Sequence, residues 1–107
     1  MKHGPIALVD EYCPVVAILG DGIVREKTLS NVEETVARGA NVIAVAREGD
    51  KRARRMARLV LPVPEAPEIL APFICSVPLQ LLAYHVAKSR GLDVDKPRNL
   101  AKSVTVE

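Results

Sequence analysis

The fold is decided by residues 13–47, CPVVAILGDGIVREKTLSNVEETVARGANVIAVAR. The stretch begins with a β-branched apolar run, residues 13–20, which predicts a strand buried on both faces. Apolar residues then recur at helical spacing, and Gly39 follows them at the position where a left-handed residue ends many helices. Residues 40–47 are again a continuous apolar run and predict a second buried strand. The residues that set the helical spacing are Leu29, Val32 and Val36.

The next segment extends this pattern with a short helix and a third strand. Asp50 precedes the basic segment KRARRMAR, residues 51–58, and its carboxylate is suited to cap a short helix. Residues 59–64, LVLPVP, predict the third strand. Pro62 cannot donate a hydrogen bond to a neighbouring strand, so we expect it in an edge strand or at a strand end.

A long apolar helix is predicted for residues 67–91, PEILAPFICSVPLQLLAYHVAKSRG, and it is expected to end at Gly91. Pro72 is expected near the start of this helix, where a proline is tolerated. Pro78 lies farther along, so we expect it to kink the helix or to split it.

Strand and helix alternate three times in close succession, which indicates parallel strands joined by crossover connections. The fold class is therefore α/β, a three-layer αβα sandwich around a parallel sheet. The 107 residues suffice for one compact domain. Near-continuous apolar strands need cover on both faces, and these helices can supply only part of it. We therefore expect the chain to form part of a larger sheet or to dimerise.

Composition and charge disfavour several classes of protein. The net charge of +2 does not by itself indicate a polyanionic partner, and two tyrosines and one phenylalanine offer little stacking surface for bases. The apolar runs are short or interrupted, so we expect no bilayer-spanning segment, no signal peptide and a cytoplasmic location. Cys13 and Cys75 stand alone in the sequence, which favours free thiols, with a disulfide between them as the less favoured alternative.

Three local motifs favour structural roles over functional ones. The loop LGDGIV, residues 19–24, lacks the spacing of dinucleotide-binding and phosphate-binding loops, so a tight turn is favoured. The basic residues of 51–58 favour a solvated helix face over contacts with nucleic-acid phosphates. His85 falls within the long helix and is interpreted as a structural histidine. No set of residues has metal-ligand spacing, and no cofactor is expected.

Two residues near the ends of the chain could carry chemistry. His3 precedes Gly4-Pro5, and its imidazole could titrate near neutral pH. Lys102 is flanked by small residues, on a segment that also contains Pro97 and Leu100. A lysine that is partly desolvated in a pocket has a lowered pKa and can attack a carbonyl to form a Schiff base. From residue types alone, a frayed terminal histidine and a surface lysine remain the favoured interpretations.

Four stretches of the sequence closely resemble one enzyme family, and the resemblance extends over nearly the whole chain. They are KHGPIALVD, SNVEETVARGA, VPLQLLAYHVA and GLDVDKPRNLAKSVTVE. The family is that of the glutamine–fructose-6-phosphate aminotransferases, also called glucosamine-6-phosphate synthases, whose chain has a glutaminase domain followed by two sugar isomerase (SIS) domains. The resemblance implies that residues 1–91 are the C-terminal portion of the second SIS domain. Residues 92–107 would then be the tail that closes the isomerase active site.

The resemblance also implies roles for three residues. Lys102 would form the Schiff base with open-chain fructose-6-phosphate, and Ala101 would lie against the substrate. His3 would open the sugar ring in the site of the neighbouring subunit of a homodimer. These residue types suit the chemistry, because an imidazole can donate and accept protons near pH 7 and an iminium makes the adjacent C1 proton more acidic.

Other parts of the family's machinery fall outside this sequence. The acid/base glutamate and the phosphate-binding Ser/Thr loops are expected upstream of residue 1, and neither Cys13 nor Cys75 has the context of the glutaminase nucleophile. We therefore expect the isolated chain to be inactive and to need the rest of the aminotransferase as its partner, with no role for nucleic acid or membrane. The alternative is a module that binds a sugar phosphate without catalysis.

Overall fold

A computed structural model describes residues 4–96 of the chain. Within them, three parallel strands form a sheet in the order β1-β2-β3. The strands are β1 (Pro14–Leu19), β2 (Asn41–Arg47) and β3 (Leu59–Val63). The helices are α1 (Arg25–Val36), α2 (Lys51–Met56) and α3 (Ala71–Ser89), and two short 3₁₀ turns span Pro5–Leu8 and Glu68–Leu70. The predicted α/β class and order of elements are confirmed.

The main core lies between the sheet and the helices α1 and α2. Ala17 of β1 is in register with Ala44 of β2, which is in register with Val60 of β3. Side chains alternate along a strand, so every second residue of β1 and β2 points at these helices. Several of these residues are alanines, which allow the helices to pack closely on the sheet. The buried cluster comprises Ala17, Leu19, Leu29, Val32, Val42, Ala44, Ala46 and Ala53.

The long helix α3 lies on the opposite face of the sheet, where it contacts β3. Ile18, whose side chain points away from that of the buried Leu19, shares a cleft with Cys75 and Leu79 of α3. The three layers are therefore α1 with α2, the sheet, and α3. β2 is the central strand, and Val45 is completely buried on the α3 side of it. This confirms the prediction that the second strand is buried on both faces.

The edge strand β1 departs from the prediction. α1 covers one of its faces, but Val16 and Ile18 on the other face are 44% and 48% exposed. The prediction that residues 13–20 are buried on both faces is therefore wrong, because α3 lies over β3 at the far edge of the sheet. β3 is the other edge strand, which confirms the edge position expected from Pro62. The expectation that the helices of this chain cover only part of the sheet is confirmed as well.

The end of α1 follows from a single glycine. Gly39 has φ +87°, a conformation that side chains with a Cβ rarely adopt. Its amide donates to the carbonyl of Val36 at 2.9 Å, and the amide of Ala40 donates to the carbonyl of Thr35 at 3.2 Å. These two bonds form a Schellman motif, which satisfies carbonyls that the helix end would otherwise leave unpaired. The predicted role of Gly39 is confirmed.

The two prolines of α3 behave differently from each other. Pro72 is the second residue of the helix, where its missing amide has no intrahelical partner to lose, and this confirms its predicted position. Pro78 lies in the interior and cannot donate to the carbonyl of Ile74. The helix nevertheless continues from Ala71 to Ser89, so the expected split does not occur.

The exposed side of α3 is unusually apolar. Phe73, Val77 and Leu81 are 72%, 54% and 53% exposed. The 22-residue segment Glu68–Ser89, with a mean hydropathy of 1.6, is long and apolar enough to cross a bilayer. The argument that the apolar runs are too short or too interrupted to cross a bilayer is therefore wrong for this segment, while the expectation that none of them does cross one stays a prediction. Length and apolarity alone do not separate a membrane span from a helix that is buried in the core of a larger protein.

Candidate functional site

The carboxyl ends of the three strands meet at one edge of the sheet, where α/β proteins usually bind their ligands. A cleft of about 490 Å³ opens there between the start of α1 and the start of α3. Its surface is mainly apolar and includes Ile18 and Leu79. Three charged residues lie at its edge: Asp21, Arg25 and Glu68.

Arg25, the first residue of α1, holds the loop that follows β1. Its guanidinium donates to the carbonyls of Leu19 and Gly20 at 3.3 and 3.4 Å. The same group donates to the Asp50 carboxylate at 2.5 Å and lies 3.8 Å from the carboxylate of Asp21. Arg25 is thus committed to protein groups on the loops after β1 and β2. Its hydrogen bonds link these two loops to each other at the carboxyl edge of the sheet.

Asp50 caps α2 and neutralises Arg25 with the same carboxylate. One oxygen accepts the amides of Arg52 and Ala53, both at 3.0 Å, which confirms the predicted helix cap. The other oxygen accepts from Arg25. Burial would by itself raise the pKa of the Asp50 carboxyl, but the Ala53 amide and the Arg25 guanidinium outweigh burial and lower that pKa below its ordinary value.

The loop after β1 packs against the 3₁₀ turn that precedes α3. A Cβ atom on Gly22 would collide with the Glu68 carboxylate, so the absence of a side chain at Gly22 permits this close approach. The amide of Arg25 donates to the Gly22 carbonyl at 3.0 Å, which closes the loop as a turn before the helix. This supports the tight-turn interpretation of residues 19–24.

The basic face of α2 is partly neutralised within the protein. Arg52 contacts both oxygens of the Glu26 carboxylate at 2.9 and 3.0 Å, and it lies 3.8 Å from the Glu33 carboxylate. Hydrogen bonding to Glu26 raises the pKa of the Arg52 guanidinium. These ion pairs agree with the favoured interpretation of residues 51–58 as a solvated helix face. Because Arg52 is already paired with carboxylates, it is poorly available to bind nucleic-acid phosphates.

The structure gives no sign of a catalytic or metal-binding role for His85, Cys13 or Cys75, the remaining residues considered in the sequence analysis. His85 is exposed on α3, and its ring stands edge-on to Tyr84 with the ring centres 5.3 Å apart. Cys13 and Cys75 are both free thiols, so the alternative of a disulfide between them is not realised. Burial raises the pKa of the Cys75 thiol, which disfavours its reactive thiolate form. Among residues 4–96, no group of three or more His, Cys, Asp or Glu side chains could hold a metal ion.

The three residues assigned by resemblance, His3, Ala101 and Lys102, lie outside the described residues. The structure describes the segments that lead to them. On the N-terminal side, the 3₁₀ turn Pro5–Leu8 buries Ile6. On the C-terminal side, the backbone leaves α3 and is described as far as Lys96.

The N-terminal segment is attached to the sheet by hydrogen bonds that the sequence did not reveal. Asp10 accepts the amides of Tyr12 and Cys13, both at 2.9 Å, in a turn that leads into β1. The side-chain amide of Asn41 donates to the backbone carbonyl of Glu11. The side-chain oxygen of Asn41 accepts in turn from Arg58 at 3.1 Å. The Asp10 turn could have been predicted from local sequence, but the Asn41 contact joins residues thirty positions apart.

The exit from α3 is also fixed by hydrogen bonds. Gly91 has φ +69°, its amide donates to the carbonyl of Lys88 at 3.0 Å, and the amide of Leu92 donates to the carbonyl of Ala87 at 3.0 Å. This is a second Schellman motif, and it confirms the predicted role of Gly91 in ending the helix, whose last helical residue is Ser89.

A further turn follows immediately. One carboxylate oxygen of Asp93 accepts the amides of Asp95 and Lys96 at 2.9 and 3.1 Å. The sequence analysis did not predict this turn, although aspartate is a common turn residue because its side chain can accept from the amide two positions ahead.

Comparisons with known proteins identify close relatives for the whole chain. The family model described as "SIS domain" matches residues 1–90. A glutamine–fructose-6-phosphate aminotransferase [isomerizing] of Thermus thermophilus is 60% identical over all 107 residues, which cover 18% of that protein. The corresponding protein of Gloeobacter violaceus is 61% identical over the same length and is also covered to 18%. The chain therefore spans less than a fifth of these relatives.

A solved structure matches as well. It is the C-terminal domain of glucosamine-fructose-6-phosphate aminotransferase from Francisella tularensis, with a TM-score of 0.75 and 40% sequence identity. The match covers 89% of this chain and 27% of that one. The sheet and helices described above thus have the arrangement found in that domain.

Proposed function

Because this chain belongs to the SIS domain family, we propose that it is the C-terminal portion of the isomerase region of a glutamine–fructose-6-phosphate aminotransferase. The observation that carries the proposal is the 60% identity over the entire chain with the Thermus thermophilus relative. The fold agrees with it, since the solved C-terminal domain of the Francisella tularensis protein matches at a TM-score of 0.75. In this proposal residues 1–91 complete an SIS domain, and residues 92–107 form the tail that closes the active site.

The proposed chemistry converts fructose-6-phosphate to glucosamine-6-phosphate with nitrogen from glutamine. His3 acts as acid and base to open the sugar ring, in the site of the neighbouring subunit of a homodimer. The Lys102 amine attacks the freed C2 carbonyl, water leaves, and the resulting iminium withdraws electrons from C1. Ala101 packs against the bound sugar. Proton transfer between C1 and C2 and the supply of ammonia are assigned to other parts of the enzyme.

The proposed partner is the rest of the aminotransferase chain. Among residues 4–96 no strand pairs with the outer edge of β1, and Val16 and Ile18 on its open face are about half exposed. The apolar side of α3 is exposed on the same side of the sheet. An edge strand beside an apolar face is suited to receive further strands and helices of the isomerase region. In this proposal α3 lies in the core of the complete isomerase region, and the enzyme works in the cytoplasm.

The test uses a hybrid enzyme, in which this chain replaces the matching segment of the Thermus thermophilus relative. We expect the hybrid to make glucosamine-6-phosphate, and borohydride to trap fructose-6-phosphate on Lys102 by reducing the iminium to an amine. Lys102→Arg keeps the positive charge but should abolish both product and trapping. Lys96→Arg, six residues earlier and exposed, is the matched control and should behave like the parent.

Glutaminase activity of the hybrid shows that the unaltered glutaminase domain is intact, and a single cooperative melting transition of the isomerase region shows that the exchanged segment is folded. A hybrid that hydrolyses glutamine and melts cooperatively but makes no glucosamine-6-phosphate would overturn the proposal. So would trapping at a residue other than Lys102.

The alternative, a non-catalytic module for a sugar phosphate, is less well supported. Such a module needs a free cation or a cradle of amides for the phosphate. In the described part of the chain, the arginine at the cleft, Arg25, is already paired with Asp50, and the cleft is mainly apolar. A shift in the melting temperature of the isolated chain with fructose-6-phosphate would favour this alternative.

A further inference from the structure

We propose that α3 is an interdomain helix: its outer ridge, formed by Phe73, Val77 and Leu81, packs against an apolar helix of a second domain of the same aminotransferase chain. This inference rests on the proposed function, which makes this chain one part of a longer aminotransferase. It goes beyond completion of the SIS domain, because the outer ridge lies on a side of α3 that a completed sheet does not cover.

The outer ridge points away from the sheet. Cys75 is the buried residue of α3 and marks the side that faces the strands. Phe73 and Val77 are each two positions from Cys75, which is about 200° around a helix, so their side chains point to the opposite side. Leu81 follows Val77 at a spacing of four and extends the same ridge. All three ridge residues are more than half exposed.

The part of the SIS domain that this chain lacks would cover a different side of α3. The cleft beside β1 is lined by Ile18 of the sheet and by Ser76 and Leu79 of α3. A helix that fills this cleft lies beside α3 in the same layer, since a three-layer domain has one layer of helices on each face of its sheet. The outer ridge is turned away from that layer, so it stays uncovered when the sheet is completed.

The outer side of α1 shows how a solvated helix face is composed in this chain. α1 packs on the opposite face of the sheet, and apart from Val36 at its end its exposed residues are all polar or charged. They are Glu26, Lys27, Ser30, Asn31 and Glu33. The outer ridge of α3 is apolar instead. A helix side of that composition is typical of contact with another apolar surface and not with water.

The arrangement of the outer ridge suits a helix as its partner. Residues spaced four apart form a ridge that fits the groove between ridges of a facing helix, which is the commonest helix packing in globular proteins. Polar groups border the apolar centre towards the end of α3, where the Lys88 amine lies 5.9 Å from the ring centre of Tyr84. A centre without charges inside a polar rim is typical of protein interfaces.

The length of the solved relative indicates where the facing helix comes from. Most of this chain matches only 27% of the Francisella tularensis domain, so that domain is roughly three times as long as this chain. Completion of one SIS domain uses part of the additional residues, and the remainder is long enough for a second domain of about 100–150 residues. A domain of the same polypeptide is held beside α3 at a high effective concentration. We therefore assign the outer ridge to a contact within one chain.

The experiment introduces the same charge at two outward helix positions of the hybrid enzyme. Val77→Lys places an amine on the outer ridge, and Ser30→Lys, the matched control, places one on the solvated side of α1. Val77→Thr is a milder ridge variant that adds only a hydroxyl group, and it decides the test if Val77→Lys does not fold. The readouts are hydrogen exchange followed peptide by peptide, the mass of the assembled enzyme, and the formation of glucosamine-6-phosphate.

We expect Val77→Lys to speed exchange by about tenfold or more in α3 and in one helix outside the SIS domain that contains α3, because a charge at this contact favours its opening. Val77→Thr should speed exchange in the same two helices by about two- to threefold. Ser30→Lys should change no peptide by more than about twofold.

Three results would overturn the inference. The first is exchange that stays unchanged in the ridge variants, and the second is faster exchange confined to the SIS domain of α3. The third is dissociation of the enzyme into subunits, which would mean that a second copy covers the outer ridge. A parent hybrid that makes no glucosamine-6-phosphate would instead contradict the proposed function, so the two failures are distinguished.

Discussion

At the scale of single residues, Asp50 contributes most to the carboxyl edge of the sheet. Its carboxylate caps α2 and pairs with Arg25, and the side chain of Asp50 is only 7% exposed. We expect Asp50→Ala to lower the free energy of unfolding by about 2–3 kcal/mol, because a helix cap is lost and Arg25 loses the nearer of its two carboxylate partners. Hydrogen exchange at the Arg52 and Ala53 amides in the hybrid enzyme would measure the effect locally.

The pH dependence of the stability lost in Asp50→Ala tests whether the loss comes from the ionised carboxylate. The folded pKa of Asp50 is lowered, so its contribution is fully present above the ordinary value of 3.8 and disappears as the pH falls through the folded value. The difference between parent and Asp50→Ala should therefore shrink below about pH 4. Asp50→Asn keeps a capping oxygen without the charge and should show an intermediate cost. A difference that is constant from pH 3 to pH 7 would contradict the ion pair.

The sequence predicted some residue roles and missed others for a physical reason. Gly39 and Asp50 were identified as helix ends because their signals lie within a few positions of the groups they serve. The contact between Arg25 and Asp50 joins residues from two different crossover connections. Local sequence patterns cannot predict such a long-range contact. Lys102 shows the opposite limit: residue types made it a candidate for a Schiff base but favoured a surface lysine, and only the resemblance of the whole tail to a family favoured the catalytic role.

At the scale of elements, the two strands of the opening stretch differ in a way that periodicity could not reveal. β1 and β2 are both continuous apolar runs, yet only β2 is buried on both faces. Whether the second face of a strand is buried depends on which strands α3 packs against. The sequence of a strand alone does not predict that packing. The same limit applies to α3, since periodicity predicts that it forms and not what covers its outer side.

The outer side of α3 yields a prediction about its environment. Leu81 is 53% exposed in this chain, but in the proposed enzyme it is buried by the rest of the isomerase region. We expect Leu81→Asp to lower the melting temperature of the hybrid by several degrees, since a buried unpaired charge typically costs several kcal/mol. Gln80→Glu, at an exposed polar position of the same helix, should have little effect.

A membrane role for α3 makes a different prediction. If Glu68–Ser89 crossed a bilayer, the hybrid would float with lipid vesicles, and Leu81→Asp would weaken that association. We expect the hybrid to remain unbound in flotation, because α3 is then covered by protein. Flotation of the folded hybrid with vesicles would contradict the proposed packing of α3.

At the scale of the whole molecule, the described residues 4–96 form a sheet in which both edge strands lack an outer neighbour, with an apolar helix on its outer side. We predict that the isolated 107-residue chain neither hydrolyses glutamine nor releases glucosamine-6-phosphate, whereas the hybrid does both. The reason is that a nucleophilic amine acts only where other groups hold the ketose, bind its phosphate and move the C1 proton. Mass-spectrometric assay of both products, with equal concentrations of chain and hybrid, would measure the difference. Product from the isolated chain would mean that its own residues supply those groups, and the division of labour proposed for the enzyme would then be wrong.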